Sequence, residues 1–480
     1  MDKRNWKLIY SNYSGTEKKA VELIYQEMGE QILRDPNVYK YHVLSCEHIS
    51  KATVDKNAVV IGVYSENALI QKYLPASEIP DDGYVVKVMD NPDLEDCQLV
   101  LITALRPREV FYGAVDFVDD YFSKAAPDQS WFKHGSRVFE QKLPEYYNAS
   151  APAIKTRGIF TWGHNINNFA SYLADMARLK LNTLILWNGF LPINIEDVIK
   201  EAHEYGIAVY LGYSWGWHGA ENLDLSNRSV IDNLRDTAVR EYEEIYAKTN
   251  ADGIYFQSFT EFKEEYLGGK LIAEVVVDFV NETAGILLEK NPQLEIQFGL
   301  HASSVTKHMD IMQKIDSRVN IIWEDCGAFP YSYRPYPETE EDFEKAVDFT
   351  TEILNLRDNN GDGVLYKGQT IMDWFNFQHQ VGPYVMGRAT NKTIENDLNL
   401  LQPTWRKFQS EWIQNGLYAY KMTRHIYENC KGNFMVGMAG QLTGGMWFSE
   451  ALCAQMLWEC DKPYKEILDK VSKRASVRIV

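Results

Sequence analysis

Eight short apolar segments recur between Arg157 and Trp447, and most of them end in polar and aromatic residues. In chain order they read RGIFTWGHN, LNTLILWNG, IAVYLGYSWGWHG, DGIYFQSFTEF, LEIQFGLHASS, VNIIWEDCG, VLYKGQTIMDW and NFMVGMAGQLTGGMW. A stretch long enough for a helix separates each segment from the next. Buried parallel strands that alternate with helices predict a (β/α)8 TIM barrel of the α/β class. In that fold the active site lies at the carboxyl ends of the strands, so the residues that end the segments are the candidates for function.

The rest of the chain divides by its patterning. The predicted barrel occupies residues 157–465 and is followed by a tail at 466–480. Residues 1–125 predict a small α+β domain, and residues 126–156, which lack periodicity, are interpreted as a linker. Within the small domain we expect a helix after Ser14, a second helix after Pro107, and strands at 41–49, 58–65, 83–90 and 99–105.

Charge and composition narrow the range of partners. The formal net charge of −18 argues against nucleic acid or an anionic membrane surface, since both require clustered Lys and Arg. No apolar run approaches the roughly 20 residues that cross a bilayer. The N-terminal residues lack the apolar core of a signal peptide, and the six cysteines show no CxxC spacing. We therefore expect a cytoplasmic protein with free thiols.

The fourth apolar segment supplies the candidate general acid. Its apolar alternation breaks at SFTEF, which places Glu261 just past a strand end and between aromatic residues. Apolar surroundings would keep such a carboxyl protonated at neutral pH, as a general acid requires. The alternative is a loop glutamate that pairs with Lys263 or another cation.

Glycosidic bond cleavage usually needs a second carboxylate, as base or nucleophile. Glu324 and Asp325 end the sixth segment, and Asp373 ends the seventh. Adjacent carboxylates after an apolar strand are costly to bury unless they are paired or functional. A structural pair with a cation such as Lys367 is the alternative for each, and the sequence does not decide between inversion and retention.

Aromatic, histidine and amide residues at the segment ends are the candidates for substrate binding, since flat rings suit the apolar faces of pyranose sugars. The predicted set is Trp162, His164, Asn165, Trp187, Asn188, Trp215, Trp217, His218, Gln257, His301, Lys367 and Trp374. Core packing is the alternative for the tryptophans, and a structural role is the alternative for each histidine. No HxH or HExxH spacing accompanies the histidines, so neither a metal nor another cofactor is predicted.

Two longer stretches resemble known glycoside hydrolases. ITALRPREVFYGAVDFV resembles the closing strand and helix of the small domain that precedes the barrel in family 67 α-glucuronidases and family 20 β-hexosaminidases. RGIFTWGHNINNFASYLADMARLKLNTLILW resembles the start of their barrel, and GIYFQSFTE is similar to the strand-four segment that carries the acid of the α-glucuronidases. The resemblance implies a barrel glycosidase with Glu261 as general acid.

The chain also departs from both families. The aspartate expected shortly after strand six of an α-glucuronidase is absent, since Pro330 and Tyr331 occupy that neighbourhood. Thr260 precedes Glu261, so the aspartate–glutamate pair of family 20 is absent too. Related enzymes often continue into a helical domain after the barrel, and we expect that domain to be missing or reduced, which leaves a homodimer open.

The leading hypothesis is a glycoside hydrolase that removes a terminal sugar, with a uronic acid as one candidate, from an oligosaccharide. Three alternatives stay open. They are a non-catalytic carbohydrate-binding protein on a hydrolase scaffold, an enzyme like the β-N-acetylhexosaminidases, and a barrel enzyme of other chemistry such as a lyase or isomerase.

Overall fold

The structure is a computed structural model of the chain. It describes residues 6–33, 44–123, 142–161, 166–187, 190–216, 224–327, 340–358, 361–367, 382–387, 389–430, 432–440, 442 and 444–480. The chain forms two compact units, and most of the first unit comes from Met1–Pro152. The short segments His203–Gly206 and Asp469–Val477 complete the first unit, and the rest of the chain forms the second.

A six-stranded mixed sheet forms the first unit. Its strands are β1 (Trp6–Tyr10), β2 (Ser45–His48), β3 (Asn57–Val63), β4 (Tyr84–Asp90), β5 (Gln98–Ala104) and β6 (Tyr146–Ser150). The spatial order is β2-β1-β3-β5-β4-β6, in which β4 runs antiparallel to both of its neighbours and the other pairs are parallel. Strands β3 and β5 are buried at every position, as expected of central strands covered on both faces.

The helices of this region are α1 (Gly15–Leu33), α2 (Ala68–Tyr73) and α3 (Pro107–Val115), with a π-helical turn at Asp116–Phe122 and 3-10 turns at Tyr64–Glu66 and Ala76–Glu78. Strand β6 differs from the prediction, because the sequence placed it in a linker. It is an edge strand with alternating partial exposure and no apolar run, so it carries little sequence signal. Strand β1 was not predicted either.

The second unit contains a closed barrel of eight parallel strands, which confirms the predicted fold. Its strands are β7 (Thr156–Phe160), β8 (Thr183–Trp187), β9 (Ala208–Ser214), β10 (Gly253–Gln257), β13 (Glu295–Leu300), β14 (Val319–Gly327), β15 (Gly363–Tyr366) and β16 (Met435–Ala439). The short hairpin β11 (Tyr266–Leu267) and β12 (Lys270–Leu271) follows β10. Two further two-residue strands are β17 (Met446–Trp447) and β18 (Val477–Arg478).

Helices alternate with the barrel strands. They are α4 (Phe169–Arg178), α5 (Ile195–Glu204), α6 (Arg228–Glu244), α7 (Ile272–Lys290), α8 (Met309–Met312), α9 (Glu340–Leu354), α10 (Asn391–Asn415), α11 (Leu417–Asn429), α12 (Phe448–Glu459) and α13 (Tyr464–Ser472), with a 3-10 turn at Tyr246–Lys248. In α5 the buried residues Ile195, Val198, Ile199 and Ala202 form one apolar stripe. Within the described part of the chain, no helix is both long enough and apolar enough to cross a membrane.

Inward-facing side chains fill the barrel. The buried apolar set includes Phe160, Trp187, Tyr255 and Met435. The Trp187 ring fits because Gly212, on the adjacent strand β9, has no side chain: a Cβ there would lie 2.4 Å from the ring atom Cε3. The lower interior of the barrel is therefore a packed and mainly apolar core, in which the amide of Gln297 contacts Met435 Sδ at 3.9 Å.

Candidate active site

Four polar residues meet at the carboxyl ends of four consecutive strands of the barrel. Gln257 ends β10, His301 follows β13, Glu324 lies in β14 and Lys367 follows β15. All four side chains are buried, and Glu324 has no exposed surface at all. Each of the four was a sequence candidate, and the parallel register of neighbouring strands brings them together.

Glu324 is the centre of this cluster. The amide Nε2 of Gln257 donates to both carboxylate oxygens, at 2.6 Å to Oε1 and 2.7 Å to Oε2. His301 Nε2 lies 2.9 Å from Oε2, and the Tyr255 hydroxyl donates to Oε1. Both oxygens of the carboxylate are thus held by neighbouring side chains, which is the condition under which a buried charge is tolerated.

The surroundings of Glu324 favour its ionised form. Burial alone would raise the pKa of the carboxyl, but the opposing effects of His301, Lys367 and the Gln257 hydrogen bond are larger together, so the pKa is lowered. An ionised carboxylate cannot donate a proton. Glu324 therefore suits the base side of a hydrolysis or the stabilisation of a nearby positive charge.

The backbone makes room for this cluster. A Cβ at Gly299 in β13 would lie 2.2 Å from both the Tyr255 hydroxyl oxygen and Glu324 Oε1. The pairing of β14 with β15 shifts register between Trp323 and Gly327, and such irregularities commonly re-aim side chains next to active sites. A missing side chain and a local break in the ladder together let Glu324 project into the barrel.

Glu261 lies in the segment that follows β10, at the same end of the barrel. Its side chain is exposed, so the apolar surroundings that the sequence led us to expect are not observed. The preceding residues Ser258 and Thr260 are buried, and their hydroxyl groups have no hydrogen-bond partner among the described residues. Glu261 is linked to the site by its position at the carboxyl end of a barrel strand, and not by the surroundings of its side chain.

Two tryptophans of the predicted substrate-binding set are among the described residues, and both are packed in the interior. Trp215 is fully buried and stacks on Phe256 with ring centroids 3.7 Å apart, while its edge contacts Phe279 of α7. It lies between strands and helix, so it offers no surface to a sugar, and the predicted sugar contact is corrected to core packing. Trp187 packs inside the barrel in edge contact with Tyr255, and it is buried as well.

The remaining candidates fall outside the described residues. These are Trp162, His164, Asn165, Asn188, Trp217, His218, Asp373 and Trp374. The backbone of Asp325 lies in β14, but its side chain is also outside the described set. Among the described residues, no group of three or more His, Cys, Asp and Glu side chains could hold a metal ion.

Sequence reasoning missed two buried polar residues at this end of the barrel. Tyr255 lies within β10, where the alternation of inward residues was the available signal. Glu450 is fully buried in the first turn of α12, and its Oε1 accepts a hydrogen bond of 3.0 Å from the backbone N–H of Leu442. An acidic residue in the first turn of a helix is a recognised helix-start signal, which could have drawn attention to it.

Comparison with solved structures finds the same fold in glycoside hydrolases. A GH138 enzyme targeting pectin rhamnogalacturonan II aligns over 96% of this chain at 10% identity, with a TM-score of 0.53. A family GH115 4-O-methyl-α-glucuronidase with specificity for decorated arabinogalactans aligns over 97% at 14% identity, with a TM-score of 0.51. The GH20 exo-β-N-acetylglucosaminidase from Vibrio harveyi aligns over 98% at 10% identity and 73% of its own length, also with a TM-score of 0.51.

These likenesses establish a shared fold. The chain spans 65% of the GH138 enzyme and 59% of the GH115 enzyme. No protein-family model matches the sequence, and no curated protein matches it in sequence.

Proposed function

We propose that the protein is a glycoside hydrolase that removes a terminal sugar from an oligosaccharide. The observation that carries the proposal is the buried carboxylate of Glu324, which lies at the carboxyl ends of the strands of a closed barrel and is held there by Gln257, His301 and Tyr255. In barrels of this type the carboxyl ends of the strands form the active site. Solved glycoside hydrolases with the same fold support the assignment.

Cleavage of a glycosidic bond requires an acid for the leaving oxygen and a carboxylate on the opposite side of the sugar. Glu261 is the proposed acid, because it lies just past β10, at the carboxyl end of a barrel strand. Glu324, whose pKa is lowered by His301, Lys367 and Gln257 against the effect of burial, is the proposed second carboxylate. Asp325 and Asp373 remain candidates for direct contact with the sugar.

A uronic acid is the terminal sugar that we expect first. His301 and Lys367 are two groups able to carry positive charge, and they surround the single described carboxylate of the cluster. Cationic side chains form strong charge-assisted hydrogen bonds with carboxylates, and this chemistry suits the carboxylate of a uronic acid.

The function is tested with a panel of aryl glycosides, aryl glucuronides and glucuronoxylan oligosaccharides. The wild-type protein should cleave at least one of them, with glucuronides cleaved fastest. Glu261→Gln should lower turnover by about 10²- to 10⁴-fold, the usual contribution of a general acid. Undiminished turnover in this variant would remove Glu261 from the mechanism.

Glu264→Gln is the matched control. Glu264 is an exposed glutamate of the same segment, three positions along the chain. Both substitutions should change the free energy of unfolding by less than about 0.5 kcal/mol, as is usual at exposed sites. Tight sugar binding in calorimetry without cleavage over days would favour a carbohydrate-binding protein. Cleavage of aryl N-acetylglucosaminides alone would favour the hexosaminidase alternative.

A further inference from the structure

The connection between β15 and α10 is joined to two other loops at the carboxyl-end face of the barrel. Tyr384 O, in this connection, accepts a hydrogen bond of 2.9 Å from the backbone N–H of Ile193, which follows β8. The N–H of Ala389 donates to Asn167 O, which follows β7, at 3.0 Å. In the barrel, β7 and β8 lie two and three strands beyond β15, so the connection reaches past β16 to the loops on its far side.

Asn194 adds a link of two hydrogen bonds to this group. Its Nδ2 donates to Met386 O at 3.0 Å, and its Oδ1 accepts from the N–H of Met386 at 2.9 Å, although the two residues are 192 positions apart in the chain. The Met386 side chain is buried. A Cβ on the next residue, Gly387, would lie 2.5 Å from the backbone nitrogen of Phe169 at the start of α4. The connection therefore lies directly against the neighbouring loops.

Asn194 stands where an asparagine usually caps a helix, since it directly precedes α5. Asn67, Asn168 and Asn227 occupy the same place before α2, α4 and α6, and each of their side chains accepts a hydrogen bond from the first turn of its own helix. Asn194 instead directs both polar atoms of its amide to Met386. Its side chain thus serves a link between loops and not the local stability of a helix.

We propose that Asn194 is a positioning residue for the active site, which holds the loops after β7, β8 and β15 together as one rigid wall of the substrate pocket. This role rests on the proposed glycoside hydrolase function. The active site of a barrel is built by the loops at the carboxyl ends of its strands, and the connection that Asn194 holds begins with Lys367 of the Glu324 cluster.

A wall of this kind acts on the sugar in two ways. It gives the pocket its final shape before the sugar arrives, so less ordering is needed on binding. It also excludes sugars that are too large, which is a repulsive contribution to specificity. When the two bonds to Met386 are lost, the loops are less tightly joined, the preferred sugar is placed less accurately, and a bulkier sugar is admitted more easily.

The test compares kcat/KM for the best aryl glycoside of the wild-type protein with kcat/KM for the same compound methylated on one sugar hydroxyl at a time. Asn194→Ala should lower kcat/KM for the best substrate by about 10- to 100-fold, as misplacement by a fraction of an ångström does. For the derivatives that the wild-type protein disfavours, the ratio of the two values should fall by about 10-fold. The ratio does not depend on the fraction of folded protein, so a merely structural role would leave it unchanged.

Asn281→Ala is the matched control. Asn281 Nδ2 donates to Lys314 O at 2.9 Å, and its Oδ1 accepts from the N–H of Asp316 at 2.7 Å, so this side chain also joins two distant backbone segments by two bonds. It lies in α7 and contacts the segment before β14, at the opposite end of the barrel. Asn281→Ala should leave the ratio of kcat/KM values unchanged.

Amide hydrogen exchange measures the link without a substrate. The N–H groups of Ile193 and Met386 should exchange about 2- to 12-fold faster in Asn194→Ala, which corresponds to the loss of one hydrogen bond. Asn194→Asp is a second variant in case alanine impairs folding, because aspartate is also favourable before a helix. It keeps the acceptor for Met386 and loses the donor, so its effects should have the same direction and a smaller size.

The outcomes separate the two proposals. An unchanged ratio in Asn194→Ala, for a wild-type protein that cleaves glycosides, would overturn the positioning role and leave the function intact. Equal falls of the ratio in Asn194→Ala and Asn281→Ala would overturn that role as well, because the two ends of the barrel would then matter alike. A wild-type protein that cleaves no glycoside would overturn the function and, with it, the role of Asn194.

Discussion

The same strands build two layers inside the barrel: an apolar lower interior, and a polar mouth formed by Gln257, His301, Glu324 and Lys367 at the carboxyl ends of the strands. The two layers are stabilised in different ways. Below, Phe160, Leu365 and Met435 pack into an apolar core. The next inward-facing side chain along a strand lies two positions further on. In β10 it is Gln257 after the core residue Tyr255, and after β15 it is Lys367 following Leu365, so the inward-facing side chains change from apolar to polar. Burial stabilises the first layer directly, whereas the second must satisfy each buried charge by hydrogen bonds. The contrast teaches that the stability of the mouth depends on a few specific hydrogen bonds and ion pairs, whereas the stability of the core depends on how completely apolar side chains fill its volume.

The largest expected effect is that of Glu324→Ala. Removal of one partner from a buried charged cluster takes an anion away from Lys367 and His301 and should lower the free energy of unfolding by about 3–5 kcal/mol. The loss is measured by denaturant unfolding at neutral pH. A loss in the free energy of unfolding below about 1 kcal/mol would mean that the mouth tolerates substitution as well as the core does. That result would contradict the proposed difference between the two layers.

The stability difference between the wild-type protein and Glu324→Ala should depend on pH in a direction that can be predicted. Because the folded-state pKa of Glu324 is lowered, its ionised form stabilises the fold above the unfolded-state pKa of about 4.3. That contribution is lost as pH falls through the folded-state pKa. The difference in stability between the wild-type protein and Glu324→Ala should therefore narrow in acid, and a constant difference would contradict it.

A smaller effect is expected from Gly299→Ala. The added Cβ would meet the Tyr255 hydroxyl and Glu324 Oε1 at 2.2 Å, which should destabilise the fold by about 1–3 kcal/mol and abolish activity. Gly285→Ala in α7 is the control, since its Cβ would meet no atom within 4 Å. That helical substitution should instead stabilise the protein by about 1 kcal/mol. Equal thermal shifts in the two variants would refute a special role for Gly299.

The smallest effect is expected from Tyr255→Phe, at the boundary between the two layers. Its ring lies 5.2 Å from Phe160 in the apolar core, and its hydroxyl reaches Glu324. Loss of the hydroxyl should cost about 0.5–1.5 kcal/mol, since Gln257 and His301 still hold the carboxylate. Met435→Leu, a volume-conserving change in the core, should match it in stability but leave activity intact. Equal losses of activity in Tyr255→Phe and Met435→Leu would contradict the distinction between the polar mouth and the apolar core.

The sequence predicted the barrel and the polar cluster for the same reason. Apolar runs spaced by helical stretches predict parallel strands, and polar residues at their ends must then meet at one face. Gln257, His301, Glu324 and Lys367 were chosen as candidates in this way, and the structure brings them together, while their roles stay predictions. The alternation of side chains along β9 could also have shown that Trp215 faces outward. Trp215 lies two positions after Tyr213 and therefore points to the same side, opposite to that of Gly212.

Other features depended on tertiary contacts that no local pattern records. The exposure of Glu261 follows from the path of the chain after β10, whereas its aromatic neighbours in sequence suggested burial. The role of Gly299 follows from side chains on two other strands. Strand β6 was missed because edge strands need no apolar run.

The glycines at 212 and 299 have a consequence for anyone who would move this site into another barrel. Each leaves a volume that a side chain from a different strand fills: Trp187 in one case, and Tyr255 with Glu324 in the other. A graft that copied only the polar residues onto a host scaffold would find that space already occupied. The transferable unit is therefore the polar residues together with two empty positions, and a search for natural counterparts should require both.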